Sequence, residues 1–524
     1  MPTDQPSGGQ PLTVGRRGFL AGLGGTVGAL TLTPAQALAE VVTARSGGFA
    51  TSPDRFGRIF ALPAFADLNA SSLPAALIAM GGPGGVMDAR DPLQEGPVRL
   101  ITNPELSPNN LDNDNHTAGT TFFGQFLDHD MTFDQTSPLG RPVDPERTPN
   151  ARTPALDLDS VYGRGPSADP QLYDPNDRAK LRVESGGLFE DVPRRSDGTA
   201  VLGDPRNDEN LMISGLHAAF LKFHNAVVDR LRASGQTRDL FANARRLVTW
   251  HYQWIIVHEF LPQVIGQGVI DDLLRNGRRF YRPARGQQFI PVEFQGAAYR
   301  FGHSMVRPSY RANLRGNQDG SAFFGFVFDP AGERQADPVD LRGGRRARRR
   351  FIGWQTFFDF GDGEMRRNKR IDTKISTPLF NLPLSAISSG DQPTVLPQRN
   401  LLRHITWSIP SGQLLAVVCG IPPLFAQHFP ELQQFGHGLP SSTPLWYYVL
   451  KEAEVLAGGR RLAGVGARIV GEVFIGLLQL DPAAYLAAQP SWRPTLPRAN
   501  GSTGNFTMVD LLTFAKVDPA SRGQ

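Results

Sequence analysis

The sequence predicts a mainly α-helical fold with long loops and little β-structure, and three observations carry that prediction. Apolar residues recur at spacings of three and four across residues 211–231, 242–261, 414–418 and 445–480, the signature of helices with one buried face. Strand-like alternation is scarce. The 56 glycines and 43 prolines of the 524-residue chain follow no period, so they punctuate structured loops, notably over 137–154 and 315–344.

With 40% hydrophobic and 20% charged residues, the chain has the composition of a globular protein with a large core. Residues 1–39 read differently. A polar start, the pair Arg16 and Arg17 followed by Gly18, Phe19 and Leu20, an apolar run over 18–32 and Ala37-Leu38-Ala39 make a cleavable signal peptide of the twin-arginine type. The apolar run is shorter than the ~20 residues of a membrane-spanning helix. The predicted destination is therefore periplasmic or extracellular, and the predicted domain is residues 40–524, with no second boundary and no transmembrane span.

Loss of residues 1–39 would take the net charge from +4 to +3, too little for partner binding by bulk charge. The excess is local. Without Arg342, Arg345, Arg346, Arg348, Arg349 and Arg350 the remainder would be negative, and this run, lacking interleaved aromatics, reads as a solvated loop rather than a nucleic-acid or surface-docking site. Cys419 is the only cysteine, which excludes disulfides within the chain, and its apolar surroundings over 414–418 predict a core position. Oligomeric state is not legible.

Three polar islands interrupt the apolar pattern. In residues 121–130, Thr-Phe-Phe-Gly-Gln-Phe-Leu-Asp-His-Asp, Gln125 and His129 fall one turn apart on a common helix face, while Asp128 and Asp130 are each rotated about 100° from His129, one to either side. Phe122, Phe123, Phe126 and Leu127 argue that this turn is buried. The second island is Gly-Asp-Pro-Arg-Asn-Asp-Glu-Asn at 203–210, directly before a long amphipathic helix. The third surrounds His303, within residues 299–308. His217 and His224 lie on an apolar helix and read as core histidines; His116, His251, His258, His404, His428 and His437 show no partner pattern.

Together and in this order, these islands resemble the animal-type haem peroxidase family, the group containing myeloperoxidase, lactoperoxidase and many bacterial secreted members. The resemblance runs from about residue 103 to 486, and Thr-Pro-Leu-Trp-Tyr-Tyr at 443–448 looks like the bacterial branch. It implies a single large helical haem peroxidase domain that reduces hydrogen peroxide and oxidises a halide or small organic donor. By motif position His129 resembles the distal histidine, a proton shuttle. Arg206 resembles the distal arginine, a fixed charge favouring heterolysis, and Gln125 a hydrogen-bond partner beside peroxide or halide.

His303 matches the proximal iron ligand, and Asn400, with Arg403 and Pro410 at the family spacings, matches the residue that fixes its tautomer by accepting its proton. Residues 405–407 depart from the mammalian pattern. Asp128 and Glu209 match the two sites of haem ester attachment in mammalian relatives; ester links to haem b and a structural role both stay open. Asn210 stands where methionine would be needed for a sulfonium link. Asp130 with Thr153, Ala155, Asp157 and Asp159 resembles a calcium site, Asp159 replacing a serine and adding charge.

Two other functions stay in view. Fatty-acid dioxygenases of the cyclooxygenase type share this fold but use a tyrosine three residues before the proximal histidine, where this chain has Arg300; Tyr299 falls one residue early. A non-catalytic adhesion protein of the same fold would be expected to lose haem-pocket residues, yet His129, Arg206 and His303 are all present.

Overall fold

A computed structural model describes residues 53–524 apart from 345, 346 and 388. The predicted signal peptide, 1–39, and Arg345 and Arg346 lie outside the described residues. Residues to Ile59 and from Pro63 to Gln524 form one unit, and Phe60–Leu62 are assigned apart from it.

The elements that build the site are these. Strand β1 (Asp112–Thr117) leads into helix α1 (Gly119–Met131). Helices α2 (Leu211–Ala233) and α3 (Leu240–Ile255) follow, then the β2 (Ser309–Asn313) and β3 (Phe323–Phe326) hairpin, and β4 (Arg367–Lys369), which pairs antiparallel with β1. Helices α4 (Leu396–Thr406), α5 (Leu445–Ala457) and α6 (Gly464–Leu480) complete the frame. Among the described residues every sheet is two-stranded, as the scarcity of alternation predicts.

Local chemistry fixes the helix ends. The Asn210 side chain accepts from the Ile213 N–H and caps α2, a cap worth about 1 kcal/mol. The periodic stretch 445–480 is two helices rather than one, because Gly458 and Gly459 adopt φ of 57° and 73° and stop α5. The buried Glu452 of α5 then accepts from the Val465 and Gly466 N–H groups and starts α6. Past α3, residues Ile256–Phe260 form a π-helical turn before Leu261–Ile265 resumes the α-helix.

Helix α1 is gripped by its aromatic face. Phe126 stacks on Phe220 of α2 with centroids 4.6 Å apart and planes 7° apart, and Tyr252 of α3 sits edge-on to Phe123 and Phe126. Such pairs add about 0.5–1.5 kcal/mol each beyond area burial. Holding that face inward leaves Gln125, Asp128 and His129 to point elsewhere.

The structure changes two predictions. Three arginines of the run are not solvated, while Arg348 is exposed: Arg350 is fully buried and donates to the Pro338, Asp340 and Arg342 carbonyls, Arg342 pairs with Asp340 at 2.9 Å, and Arg349 pairs with Asp337 at 3.1 Å. These side chains tie the loop to itself, which the charge count cannot show. Cys419 is half-buried at the last turn of its helix rather than in the core, with burial pushing its thiol up to about 12. Among the described residues only α2 is long and apolar enough to cross a membrane, and it is buried within the fold.

Candidate active site

A cavity of about 260 Å³ is lined by Gln125, Asp128, His129, Arg206, Glu209, Tyr299, Arg300 and His303, together with Phe260, Phe301, Met305 and Val306. It draws on α1, the turn before α2, the π-turn after α3 and the short helix Gly302–Met305. The three polar islands thus meet in one space.

On the α1 side, His129 Nδ1 lies 2.9 Å from Asn207 Oδ1, and its Nε2 lies 4.0 Å from Glu209 Oε2. Asn207 does not line the cavity. It stands behind the ring, so Nε2 is the nitrogen directed into the space. Burial first, then the Arg206 charge, holds the imidazole down to about 3, so the ring is neutral at physiological pH. Gln125 is held at both ends, donating to Glu209 Oε2 at 3.1 Å and accepting from Asn210 Nδ2 at 3.3 Å. Burial pushes Glu209 up to about 8 against the opposing Arg206 charge.

Arg206 sits in a 3₁₀ turn, Pro205–Asp208, started by Asp204, whose carboxylate accepts the Arg206 backbone N–H at 2.9 Å. The fully buried Asp204 also takes the guanidinium at 3.0 and 2.8 Å, while Nη2 donates to the Thr132 carbonyl at 2.7 Å. Nη1 is 3.6 Å from Asp128 Oδ2, at the cavity wall. Burial opposes the charge on Arg206, but Asp204 outweighs it and raises the guanidinium further. Asp128 is raised by burial in spite of Arg206 and Arg300.

The turn is braced from outside. Arg194 donates to both Asp208 oxygens at 2.8 and 2.9 Å and to both Asp191 oxygens at 2.8 and 3.2 Å. On the other side the Gly343 N–H donates to the Glu209 carbonyl at 2.9 Å, in an approach so close that a β-carbon at 343 would lie 1.5 Å from the Asp208 carbonyl oxygen.

On the other histidine, Nδ1 of His303 lies 2.7 Å from Asn400 Nδ2. The predicted contact is made, but its polarity is reversed: Arg300, a donor only, takes Asn400 Oδ1 at 2.9 Å and turns the amide N–H₂ toward the ring. Asn400 also stands outside the cavity, so His303 Nε2 is directed into it, and burial with Arg300 holds this imidazole down to about 3. Arg300 donates to neutral acceptors, Asn400 and the Gln295 carbonyl at 2.8 Å, and burial together with Arg403 pulls it down to about 10. Arg403 and Arg399 line the same wall, each paired with a carboxylate, Asp134 at 2.8 Å and Asp391 at 2.7 Å.

Asp130 turns away from the cavity, as its rotation from His129 requires. Its buried carboxylate accepts from the Leu158 N–H at 3.1 Å, Ser160 Oγ at 3.2 Å and the Tyr252 hydroxyl at 3.0 Å. Asp157 and Asp159 join it, with one oxygen of each of the three acids within 4.8 Å of the others. Thr153 reaches the cluster through its N–H to Asp159 at 3.0 Å, and Ala155 is buried in the same loop. Burial raises Asp130 well above the carboxylate range, and the two neighbouring carboxylates raise it further. Arg152 and Arg245 approach only the rim, at 3.3 and 3.6 Å.

Residues 138–324 match the family model of the animal haem peroxidase domain. That stretch is similar to the animal haem peroxidase domain. The match holds Arg206, Glu209, the acidic loop and His303, whereas α1 with His129, and Asn400, lie outside it. Among curated proteins, a peroxidase-like protein of Margaritifera margaritifera is 26% identical over 274 residues, 40% of this chain and 34% of that one. Human thyroid peroxidase is 24% identical over 194 residues, 32% of this chain and 21% of that one. The chain therefore spans about a third or less of the curated relatives it matches. Peroxidase A of Dictyostelium discoideum superposes with a TM-score of 0.57 at 16% identity over 87% of this chain and 95% of that one. A fatty acid alpha-dioxygenase of Arabidopsis thaliana gives 0.54 at 15% identity over 82% and 73%. At these identities the likeness is of fold.

Of the predicted site residues, Gln125, Asp128, His129, Arg206, Glu209, His303 and Arg403 share the cavity wall, Asn400 backs His303, and Asp130, Thr153, Asp157 and Asp159 gather separately. Residue spacing missed Asn207, His217, Arg194 and Arg300. The first two join through Asn207 Nδ2 to His217 Nδ1 at 3.0 Å, a link between a turn and a helix that no periodicity reveals. Tyr299 lines the cavity but its hydroxyl donates to the Gly124 carbonyl at 2.9 Å.

Proposed function

We propose that the chain is a haem-dependent peroxidase that reduces hydrogen peroxide and oxidises a halide or small organic donor. One observation carries this reading: two neutral histidines, His129 buried and His303 half-buried, line one cavity, each with Nδ1 engaged from behind by an asparagine and Nε2 directed inward. The residues fit haem on chemical grounds. An imidazole whose Nδ1 meets an amide would suit iron once that amide presents its oxygen, and the half-buried guanidinium of Arg300, whose donors go to neutral acceptors, suits an anion such as a haem propionate. When bound, haem supplies a redox-active iron that takes the oxidising equivalents of peroxide.

The chain's own groups do the rest. His303 Nε2 would hold the iron, with Arg300 and Arg403 at the propionates. With Arg300 paired to a propionate, Asn400 would be free to turn its Oδ1 toward His303 Nδ1–H. His129 Nε2, unprotonated at neutral pH, takes a proton from peroxide and returns it to the departing oxygen. Arg206, locked on Asp204 with Nη1 at the wall, offers a fixed charge to the developing negative oxygen. Gln125 Nε2 would donate to the bound peroxide or a halide. Asp128 and Glu209 line the cavity and would be the carboxylates that form haem esters; acidified organic solvent would then leave the haem on the wild type and extract it from an Asp128→Asn, Glu209→Gln double variant.

The acidic cluster of Asp130, Asp157 and Asp159, with Thr153 and the Ala155 carbonyl, would hold Ca²⁺, since three clustered carboxylates favour a hard cation. Residues 40–524 would act as one domain exported behind the twin-arginine segment. The dioxygenase reading loses support from Tyr299, whose hydroxyl is committed to Gly124.

Steady-state peroxide consumption by the haem-loaded protein, with bromide and with a phenolic donor, tests the function. Donor-dependent turnover is expected with at least one, and His129→Ala is expected to lower kcat/KM for peroxide by about 10²–10⁴-fold. No turnover with a full complement of haem would refute the reading.

A further inference from the structure

Nothing in the spacing singles out Asn207, and His217 reads from sequence as an ordinary core residue; the structure puts both behind His129. Asn207 is fully buried, with Oδ1 2.9 Å from His129 Nδ1 and Nδ2 3.0 Å from His217 Nδ1. One amide therefore meets two imidazoles at the same ring nitrogen. An amide has one acceptor end and one donor end, so the two neutral rings hold opposite tautomers. The ring facing Oδ1 carries its proton on Nδ1, and the ring facing the N–H₂ carries it on Nε2.

The amide is held on a rigid frame. Its backbone N–H donates to the Asp204 carbonyl at 3.1 Å, its neighbour Asp208 is gripped by Arg194, and His217 lies in the second turn of the capped helix α2. Turning the amide end for end would force both histidines to change tautomer together.

We propose that Asn207, oriented by His217, is the positioning residue that fixes His129 in the Nδ1–H tautomer and so presents the Nε2 lone pair, rather than an N–H, to the cavity. This rests on the peroxidase reading and extends it to the two residues that decide whether His129 serves as a base. A lone pair at Nε2 accepts a proton from any weak acid entering the cavity; an N–H there does not.

Cyanide and carbon monoxide separate this role from a merely structural one. Hydrogen cyanide must release a proton to bind as the anion, and carbon monoxide, added to the reduced protein, carries none. In the haem-loaded protein, Asn207→Leu is expected to slow cyanide association roughly 100-fold, the low end of a positioned proton acceptor's contribution, with carbon monoxide association and the haem spectrum unchanged. Asn207→Asp, which keeps an acceptor toward Nδ1–H, restores most of the rate. Should Asn207→Leu not fold, the pair His217→Asn, which keeps an acceptor near the Nδ1 position, and His217→Leu, which removes it, gives the same contrast. Wild-type cyanide rates in Asn207→Leu, or equal slowing of both ligands, would overturn the inference and leave the peroxidase reading standing. A wild-type protein that takes up no haem would overturn both.

Discussion

Asn400 meets Nδ1 of His303 at 2.7 Å while its oxygen is held at 2.9 Å by Arg300. A neutral amide serves both partners only by presenting nitrogen to the histidine, whereas an iron-ligating imidazole needs an acceptor there. A carboxylate at this position would accept from both at once. Asn400→Asp is therefore expected to retain haem and to lower the midpoint potential of the iron, because a more anionic imidazole stabilises the ferric state. Asn400→Ala is expected to weaken haem binding by about 10–100-fold. Haem titration and spectroelectrochemistry read both; a raised potential in Asn400→Asp would contradict the arrangement.

The Asp130, Asp157 and Asp159 cluster predicts calcium-dependent stability. Burial, then the mutual repulsion of the three acids, keeps Asp130 raised, so calcium uptake near neutral pH should release protons. At free calcium about 100-fold above Kd the gain is about 2.7 kcal/mol, visible as a drop in Tm on chelation and its recovery on adding calcium. Asp159→Ala should abolish that recovery. A Tm indifferent to chelator would remove calcium from the account.

Acid sensitivity should come from buried neutral histidines. Nε2 of His404 accepts the Trp446 N–H at 3.0 Å and Nδ1 donates to the Asn400 carbonyl at 3.0 Å, and burial holds the ring down to about 4 from 6.5. His251 is used likewise, donating to the Leu247 carbonyl at 2.7 Å and accepting from Leu496 N–H at 3.2 Å, and is also held down to about 4. The folded pKa is depressed, so the unfolded chain takes up the proton first. Each contribution is whole above pH 6.5 and is lost as pH falls through about 4, on the order of 3 kcal/mol per ring. Calorimetry across that range should show Tm falling, with a shallower fall in His404→Gln. A Tm constant down to pH 4 would contradict this.

Arg194 is a bracing cation with side-chain exposure of only 5%. Arg194→Ala would remove the cation shared by the buried Asp191 and the half-buried Asp208, a loss of up to about 3–5 kcal/mol. The turn carrying Arg206 and Glu209 should loosen with it. The expected result is a lower Tm together with weaker peroxide turnover, and Arg194→Lys should recover stability only in part because it cannot span both carboxylates. An unchanged Tm would show that the brace is dispensable.

The sequence made the helices legible because their buried faces repeat at the helical period, and it placed Gln125, Asp128, His129 and Asp130 correctly around α1 because side-chain direction follows from 100° per residue. Gly458 and Gly459 broke the stretch 445–480 where the apolar pattern ran on. The arginine run misled because charge composition says nothing of carbonyls waiting in the same loop, which bury Arg350. Asn207, His217, Arg194 and Arg300 act through partners distant in sequence, and only the folded chain shows that Asn207 faces two histidines or that Arg300 controls the Asn400 amide.

The most direct test of the account is the absorption spectrum of the purified protein supplied with haem, for the wild type and for His303→Ala, before and after hydrogen peroxide. The account predicts a Soret band in the wild type that shifts on peroxide and returns with a donor, and a lost or strongly altered band in His303→Ala. A folded wild type that takes up no haem, or a His303→Ala variant with an unchanged spectrum, would contradict it.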